Sequence, residues 1–307
     1  MPSISVIIPT YNRPRQLAMC LGALEGLDFP RAQFEVIVVD DGGSVPVRLV
    51  IDELSLSLEV TLIRQDNAGP GAARNTGAQR ARGPCLVFLD DDCLPEPGWL
   101  GALAARLEKG WPEAVAGKTV NGCSDNLYDC VSHLLSYHQY DRYKNEPAAV
   151  EFLATNNLAM QTDLFRAAGG FRTDLTLAYE DREFCDRWLR LGYRLTYVPE
   201  AVVRHCRSMT LRSFCRQHWT YGRMASHYYS LARNRVHRRL PQMYFDVARR
   251  ALHEHKGWNQ PQILALLAAS QVMAASGFVL ERLRELRAGR TEQGRLQSNT
   301  PGRLDDH

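Results

Sequence analysis

The sequence lacks the cysteine and leader patterns of an exported or zinc-stabilised protein. Its eight cysteines are scattered through 307 residues, and no two of them have the CxxC spacing of a structural zinc site. No secretory signal precedes the first apolar run, which begins at Ile4. We therefore expect reduced thiols and a cytoplasmic location, because disulfides form and persist in oxidising compartments.

Three common catalytic or nucleotide-binding signatures are also missing. Gly117-Lys118-Thr119 resembles the end of a phosphate-binding P-loop, but Pro112 stands where that motif needs its first glycine. Gly69-Pro70-Gly71 fails as a dinucleotide-binding fingerprint, because Arg74 replaces the third glycine. No Gly-x-Ser-x-Gly nucleophile elbow is present. The chain must therefore perform any chemistry with other motifs.

The chain has little net charge, but that charge is unevenly distributed. It contains 45% hydrophobic and 23% charged residues with a formal net charge of +3, which is ordinary for a globular protein and excludes a disordered or fibrous chain. Residues 1–203 contain 19 Lys and Arg against 27 Asp and Glu, whereas residues 204–290 contain 16 against 4. The basic segment is either a surface that meets anions or an ordinary solvated helical face.

The first 93 residues alternate short β-branched runs with helical patterns. Strands are predicted at 4–8, 34–39, 60–63 and 85–89. Residues 17–27 have helical spacing. Continuous Val and Ile runs separated by helices are typical of a parallel sheet covered on both faces. Such sheets bind ligands beyond the carboxyl ends of their strands, and those ends carry polar residues here.

The second half of the chain is mixed and then helical. It is predicted to contain a helix at 179–191, strands at 193–198 and 201–203, and helices from 208 to about 290 with breaks at Pro241 and Pro261. The tail from 291 is polar and expected to fray. The most apolar stretch, 263–280, is marginal in length for a bilayer span, so an ordinary packed helix, an interfacial helix and a spanning helix all stay open.

Acidic groups follow two of the predicted strands. The run Asp90-Asp91-Asp92 comes directly after the strand at 85–89. Neighbouring carboxylates repel one another unless a cation neutralises them. Their hard oxygen ligands suit Mg²⁺ or Mn²⁺, which commonly takes further oxygens from a phosphate. Asp40-Asp41 ends the strand at 34–39, where an ordinary Asp-Gly turn is an equally good interpretation.

Two further groups lie near the ends of later elements. Glu180-Asp181 opens the helix predicted at 179–191. The helix dipole favours a carboxylate there, so the pair is either an N-terminal cap or a general base that the dipole keeps ionised at neutral pH. His205 follows the strand at 201–203 and is either a metal ligand or a surface histidine.

Six motifs, taken in chain order, resemble the inverting glycosyltransferases of family 2, which have the GT-A fold. The resemblance runs from Ser3 to about Arg207. The matching segments are 6–13 (VIIPTYNR), 38–42 (VVDDG), 67–77 (NAGPGAARNTG), 88–92 (FLDDD), 157–160 with 169–171 (NLAM and GGF) and 180–181 (ED).

This resemblance implies an α/β, Rossmann-like and mostly parallel GT-A domain with a helical C-terminal extension. The domain would cover 1–207, with a nucleotide-binding half at about 1–93 and an acceptor half at about 94–207. A basic helical region at 208–290 and a polar tail at 291–307 would follow.

The resemblance also implies a nucleotide-diphosphate sugar as donor, most naturally a UDP-sugar. Its nucleotide pocket would be lined by Pro9, Thr10, Tyr11 and Arg13. Asp40 would accept a hydrogen bond from the base, with Asp41 as support or a second contact. Arg74 would reach the base or the diphosphate, where a fixed cation is useful.

A divalent ion, Mn²⁺ or Mg²⁺, is part of the same implied site. Asp90 would contact ribose or the metal, and Asp91 would also belong to the donor-binding site. Asp92 and His205 would hold the ion, whose charge offsets that building on the leaving diphosphate. The family's Asp-x-Asp-Asp run ends here in Cys93, so one carboxylate is missing.

On the acceptor side, the resemblance implies that Asp181 deprotonates a hydroxyl that then attacks and inverts the anomeric carbon. Glu180, Asn157 and Trp188 would contact sugar or acceptor. The acceptor would be a glycan, a lipid-linked sugar or a small molecule in cell-envelope glycan synthesis. A lipid-linked acceptor would also suit the basic helices, which we expect to contact the anionic inner face of the membrane peripherally.

Two other functions compete with this one. A retaining glycosyltransferase or a nucleotidyltransferase on a related sheet would not need a base at Asp181. A nucleic-acid-binding module would use Arg212, Arg216 and Arg223 to contact phosphates. Because no recognisable binding motif accompanies these arginines, we expect no nucleic-acid partner.

Overall fold

The structure, a computed structural model, describes residues 2–110, 112–123, 125–231, 247–249 and 260–298, and the side chains of all of these except 141, 149 and 288–298. Within these residues, eight strands form one sheet. They are β1 Ile4–Thr10, β2 Phe34–Asp40, β3 Val60–Arg64, β4 Cys85–Leu89, β5 Cys93–Pro95, β6 Glu113–Asn121, β7 Asn157–Gln161 and β8 Arg194–His205.

The sheet is parallel in its first half and mixed in its second. Its strand order is β3-β2-β1-β4-β7-β6-β8-β5. β1 pairs in parallel with β2 and β4, and β2 with β3. β7 runs antiparallel to both β4 and β6, β8 is parallel to β6, and β5 is antiparallel to β8. The expected mostly parallel α/β sheet is confirmed, with β7 and β5 as its reversed members.

Helices connect these strands and cover both faces of the sheet. They are α1 Pro14–Glu25, α2 Val47–Glu53, α3 Pro70–Arg80, α4 Trp99–Leu107, α5 Leu127–Asn145, α6 Thr162–Ala167, α7 Glu180–Arg190, α8 Leu211–Leu231 and α9 Gln260–Ser298. Single 3₁₀ turns occur at Arg31–Gln33 and Pro147–Ala149. Pro14 and Pro70 stand in the first turns of α1 and α3, where the missing N–H costs no helical hydrogen bond.

Alternation along β1 shows how both faces of the sheet are buried. Val6 and Ile8 pack into one cluster with α1 and α4, while Ile7 packs into the opposite cluster with Phe165 and Phe184. A strand with period 2 sends successive side chains to opposite faces, so a run of consecutive apolar residues needs a cover on each side.

Two predicted strand boundaries differ from those observed. β1 continues through Pro9 to Thr10, because its ladder with β4 ends at Ile7 and the missing N–H of proline breaks no bond to that strand. The strands predicted at 193–198 and 201–203 form one strand, β8, because its pairing with β6 resumes after a register shift next to Gly117.

The C-terminal helices pack onto the domain through a separate core. Val131 and Leu134 of α5, Phe214 of α8, and Ile263 and Leu266 of α9 share one hydrophobic cluster. Gly222 of α8 faces the backbone of Ala274 in α9, and Gly277 of α9 faces the backbone of Trp219 in α8. Because neither glycine has a Cβ, the two helices approach closely.

The ends of α9 differ from the sequence-based expectation. Pro261 lies in the first turn of α9 and therefore begins a helix rather than breaking one. The helix continues to Ser298, beyond the boundary expected near 290, and Pro241 lies outside the described residues. In the described part of the chain, the segment Gln260–Arg287 of α9 is long and apolar enough to cross a membrane, judged by length and composition alone.

The close approach of α8 and α9 predicts the effect of adding one methyl group. A Cβ at Gly222 would overlap the carbonyl oxygen of Ala274, so we expect Gly222→Ala to lower the free energy of unfolding by about 1–3 kcal/mol. Urea denaturation measures this change. In Gly101→Ala, the added Cβ within α4 meets nothing, so we expect an increase of about 0.4–1 kcal/mol. Equal effects of the two substitutions would contradict the packing described.

Candidate active site

A cleft of about 2080 Å³ lies beyond the carboxyl ends of β1, β2 and β4. Residues of α5, of the second half of α8 and of the middle of α9 form its far side. Of the residues predicted from sequence, eleven line it: Pro9, Thr10, Tyr11, Arg13, Asp41, Arg74, Asp90, Asp91, Glu180, Asp181 and His205. The predicted placement of polar groups where the architecture binds ligands is thus observed for most of the set.

The segment after β1 holds the acidic run in place. Thr10 Oγ1 donates to Asp91 Oδ2 at 2.7 Å, and Arg13 Nη1 lies 3.1 Å from Asp91 Oδ1 and 3.0 Å from Asp92 Oδ2. Burial raises the pKa of Asp91 to about 6, even though the positive charge of Arg13 acts to lower it. Since both oxygens of Asp91 have protein partners, this residue fixes the geometry of the run.

Asp41 and Asp40 shape the loops after β2. Asp41 accepts hydrogen bonds from the backbone N–H groups of Ala68 and Gly69, both at 2.9 Å, and so anchors the turn before α3. Asp40 is buried, and its two oxygens accept from Gly43 N at 2.9 Å and Arg64 Nη1 at 2.7 Å. Asp40 does not line the cleft, so the predicted contact between Asp40 and the base is corrected: its carboxylate is already used within the fold.

Arg74 joins two acidic groups that are far apart in sequence. Its Nη1 donates to Glu180 Oε1 at 2.8 Å and its Nη2 donates to Asp90 Oδ1 at 2.7 Å. The side chain is almost fully buried, with 4% exposure. Burial alone would lower the pKa of Arg74, but the two carboxylates raise it above its usual value. In this structure Arg74 therefore positions Asp90 and Glu180 instead of reaching freely into the cleft.

Asp181 lies one residue beyond this bridge, in the first turn of α7. Tyr179, the residue before α7, has a left-handed backbone with φ of 72°. This conformation is uncommon for a residue other than glycine, and it occurs often at functional sites. Burial, with the negative charge of Glu180, raises the pKa of Asp181 to about 7. At this pKa the carboxyl is about half ionised at neutral pH, because burial opposes the helix dipole that favours its charged form.

Asp92 and His205 meet through the pairing of β5 with β8. That register places Cys93 opposite His205, and the backbone N–H of Cys206 donates to the carbonyl oxygen of Asp92 at 2.8 Å. His205 Nε2 then lies 3.0 Å from Asp92 Oδ1. Asp92 itself is almost fully buried and is not part of the cleft lining.

The atoms of this pair fit a metal ion. His205 Nε2 accepts a hydrogen bond from Arg207 Nε at 2.8 Å, so in this tautomer it has no proton to donate to Asp92. Asp92 Oδ1 is buried and has no hydrogen-bond partner. A cation satisfies two buried lone pairs that face one another in this way, and a carboxylate oxygen with an imidazole nitrogen suits Mn²⁺ or another divalent ion.

The protonation states of Asp92 and Cys93 decide which of them can act as an anionic ligand. Burial alone would raise the pKa of Asp92, but the positive charges around it, those of Arg207 and Arg13 among them, lower it below its usual range, so the carboxyl is ionised as a ligand must be. The ligand atoms of Asp92, Cys93 and His205 all lie within 4.8 Å of one another. Burial raises the pKa of the Cys93 thiol well above its usual value, so without a bound cation Cys93 carries no charge in place of the missing carboxylate.

Two predicted acceptor contacts belong instead to the protein core. Trp188 is fully buried, and its Nε1 donates to the carbonyl oxygen of Arg194 at 3.0 Å. Asn157 is also buried: its Oδ1 accepts from Trp99 Nε1 at 2.8 Å and its Nδ2 donates to the carbonyl oxygen of Ala201 at 3.0 Å. Neither residue lines the cleft, so both assignments are corrected; packing and internal hydrogen bonds occupy these side chains.

Asn156 and Arg207 are among the residues of the cleft lining that the sequence analysis did not select. Asn156 lines the cleft beside Asn157, donates from Nδ2 to Tyr137 Oη at 2.8 Å and leaves its buried Oδ1 without a partner. Arg207 also lines it, and Nη1 of Arg207 donates to Gln217 Oε1 at 2.8 Å. Its position two residues after His205 is the feature of the sequence from which Arg207 could have been selected. Nothing in the Asn156-Asn157 pair indicates which amide faces outward.

The sheet order, the acidic groups at its carboxyl edge and the helical cover are those of the GT-A fold. A solved structure with this fold is the mannosyltransferase PcManGT from Pyrobaculum calidifontis, in complex with GDP-Man and Mn²⁺. It superposes with a TM-score of 0.61 at 22% identity and covers 94% of this chain and 80% of that one. At this identity the likeness concerns the fold alone.

Sequence comparison gives the family. The model of Glycosyl transferase family 2 matches residues 5–167, more than half of the chain, and the protein belongs to that family. It is 28% identical over 213 residues to glycosyltransferase AglE of Haloferax volcanii, covering 67% of each chain. It is also 28% identical over 229 residues to the pre-mycofactocin glycosyltransferase of Mycobacterium tuberculosis, covering 73% of this chain but 47% of that relative. The chain thus spans about half the length of the mycobacterial relative.

The Arg74 bridge predicts a large loss of stability when its charge is removed. In Arg74→Met, the buried carboxylate of Glu180 loses its partner, so we expect the free energy of unfolding to fall by about 3–5 kcal/mol. Arg172→Met breaks an ion pair with Asp174 in which both side chains are 42% exposed, so we expect a loss of about 0–1 kcal/mol. Urea denaturation of both variants measures the difference. A similar small loss in both would show that the bridge is not a buried constraint.

Proposed function

We propose that this protein is an inverting glycosyltransferase that moves a sugar from a nucleotide-diphosphate donor to an acceptor hydroxyl. The observation that carries the proposal is Asp181, a carboxyl whose pKa burial raises to about 7 in the cleft that His205 also lines. A general base works best when its pKa lies near the working pH, because it then both accepts a proton readily and is ionised often enough to do so.

The donor half of the proposal rests on the edge formed by β1, β4 and β8. Asp92 and His205 would hold a divalent cation, and this ion would supply positive charge to the diphosphate leaving group. Arg13 and Arg207 bring two further positive charges to the same edge. Thr10 and Tyr11 line the cleft next to Arg13 and would contact the nucleotide.

The chemical step needs one protein group to move a proton. Asp181 takes the proton from the acceptor hydroxyl, whose oxygen forms a bond to the anomeric carbon. The bond from that carbon to the diphosphate oxygen breaks, and the nucleoside diphosphate leaves with the bonding electrons. Attack from the side opposite the leaving group inverts the anomeric configuration. Glu180 keeps Asp181 basic through like-charge repulsion.

For the two substrates we propose chemical classes and not individual compounds. The GDP-Man bound to the archaeal mannosyltransferase and the UDP-GlcNAc bound to Staphylococcus aureus TarS show that relatives of this fold take different nucleotide sugars. A UDP-sugar is our first choice for this chain. The acceptor would be a glycan, lipid-linked or small-molecule hydroxyl compound in cell-envelope synthesis, and the reaction would take place in the cytoplasm or at the inner membrane face.

Donor binding predicts a metal-dependent gain in stability. We expect one of UDP, GDP, dTDP and CDP, at about 100 times its dissociation constant with Mn²⁺, to stabilise the protein by about 2.7 kcal/mol in a thermal-shift assay. The shift should need the metal and disappear in Asp92→Asn. Asp174→Asn, which changes a carboxylate outside the cleft lining, should retain the full shift. Absence of a shift with every nucleotide would overturn the donor assignment.

The base assignment predicts a variant that binds donor but does not turn over. Asp181→Asn cannot accept the proton, so we expect kcat to fall by about 10²–10⁴-fold while the nucleotide-dependent thermal shift is retained. In the native enzyme, kcat/KM should rise as pH rises through about 7, because the carboxyl becomes ionised. Asp163→Asn, whose side chain is 97% exposed, is the control and should keep native turnover.

Product stereochemistry completes this test. Proton NMR of the first-formed product should show the anomeric configuration opposite to that of the donor. Retention of configuration, together with near-native turnover of Asp181→Asn, would point to a retaining transferase and overturn the proposed mechanism.

A further inference from the structure

The outer face of α9 is an exposed and largely apolar surface. Its exposed side chains recur at helical spacing, and we name this set the α9 stripe: Leu264, Ala268, Val272, Ala275, Val279, Leu283 and Leu286. The stripe is about 33 Å long at the rise of an α-helix. Val272, Val279 and Leu286 are 61%, 55% and 57% exposed. Single exposed apolar residues are ordinary, but a contiguous surface of this length marks a docking site.

The opposite face of α9 is already committed to the fold. Ile263 and Leu267 pack with Phe214 of α8 in a buried cluster, and Gly277 contacts the backbone of Trp219. Glu281 forms an ion pair with Arg223 of α8 at 2.6 Å. If α9 crossed a bilayer alone, it would lose these contacts with α8 and expose this face to lipid. Otherwise α8 would have to enter the bilayer with it. The stripe is therefore suited to lying along a surface rather than to a lone span.

Charge favours an anionic surface as the occupant. The segment 260–280 contains no charged residue, and the next seven residues contain three exposed arginines, Arg282, Arg284 and Arg287, with two glutamates that pair with the first two of them. Arg212 and Arg216 of α8 are also exposed. A second copy of this chain, docked stripe to stripe, would bring the exposed arginines of α9 in the two copies near one another. An anionic bilayer attracts the same charges.

The stripe is continuous with the cleft. Gln271, Ala274 and Phe278 of α9 line the cleft, and so does Ala275, which is at the same time a member of the exposed stripe. Ala275 lies one helical turn from both Val272 and Val279. An extended apolar chain can therefore pass from the cleft to the stripe along one helix without leaving apolar surface.

We propose that the α9 stripe docks peripherally on an anionic lipid bilayer, and that the acceptor is an amphiphile whose apolar part stays in that bilayer while its hydroxyl enters the cleft. The docking half stands on the stripe and its charges alone. The acceptor half rests on the proposed glycosyltransferase function. In this arrangement the membrane presents the acceptor directly at the α9 side of the cleft.

Vesicle sedimentation tests the docking half without any turnover. The full chain should sediment with phosphatidylglycerol/phosphatidylcholine vesicles at low salt and much less with phosphatidylcholine alone. Val272→Asp with Val279→Asp should weaken this partition by about tenfold or more, because two charges enter the apolar contact. Leu49→Asp, at an exposed leucine of α2 away from the stripe, is the matched control and should bind as the native protein does.

Three outcomes would overturn docking: no sedimentation with anionic vesicles, equal partition of the stripe variant and the native chain, or a concentration-dependent dimer in sedimentation velocity that the stripe variant abolishes. The nucleotide thermal shift is measured on the same variant. A retained shift shows that the fold and donor site are intact, so loss of vesicle binding is specific to the stripe. A missing shift in the native chain would instead reject the donor site and leave the docking result standing.

A comparison of rates on two acceptors tests the proposal that the acceptor is an amphiphile held in the bilayer. With equal amounts of donor, the native enzyme should glycosylate a membrane-anchored hydroxyl acceptor faster than its detergent-free, chain-truncated analogue, and the stripe variant should lose that advantage while keeping its rate on the truncated analogue. Equal rates of the native enzyme on both acceptors would overturn this half of the proposal.

Discussion

The bridge from Arg74 to Asp90 and Glu180 is the constraint on which the cleft depends. It joins α3, the segment after β4 and the start of α7, although Arg74 and Glu180 are 106 residues apart in the chain. A buried guanidinium is tolerated only when carboxylates compensate its lost hydration, and removal of the guanidinium leaves the buried carboxylate of Glu180 without its partner. The bridge therefore fixes where α7 begins, and with it the position of Asp181.

The charge balance around the cleft explains the proposed need for a cation. Carboxyl groups at its edge outnumber guanidinium groups, and the arginines there are already paired with acids: Arg13 with Asp91 and Asp92, and Arg74 with Asp90 and Glu180. A diphosphate would add further negative charge to this edge. The unpartnered Asp92 Oδ1 and the lone pair of His205 then provide the place where a positive ion restores the balance.

The C-terminal helices pack on the domain and also form one wall of the cleft. α8 and α9 form the wall opposite the sheet with Tyr221, Tyr229 and Phe278, residues outside the segment 5–167 that carries the family match. These two helices thus lie beyond the family match, whereas most of the sheet edge lies within it. One helix, α9, contributes to the core, to the cleft and to the exposed surface, because its three faces meet three different environments.

Much of the fold was predictable because local patterns carry it. The strands β2, β3 and β4 and the helices α1 and α7 lie within a few residues of the predicted positions, since β-branched runs and helical spacing are set by neighbours along the chain. The antiparallel direction of β7 was not predictable from its short apolar run, because direction depends on which strands it lies between.

The sequence by itself determined the types of chemistry: an acidic run after an apolar strand, a carboxylate pair at the start of a helix and a histidine after the last strand. Tertiary structure alone decided which of these groups meet and which way each points. It turned Asn157 and Trp188 inward and Asn156 toward the cleft, used the carboxylate of Asp40 within the fold, and raised the pKa of Asp181 by burial. The reason is physical: residue type fixes what a side chain can do, while hydration, neighbouring charge and orientation are set by segments that lie far away along the chain.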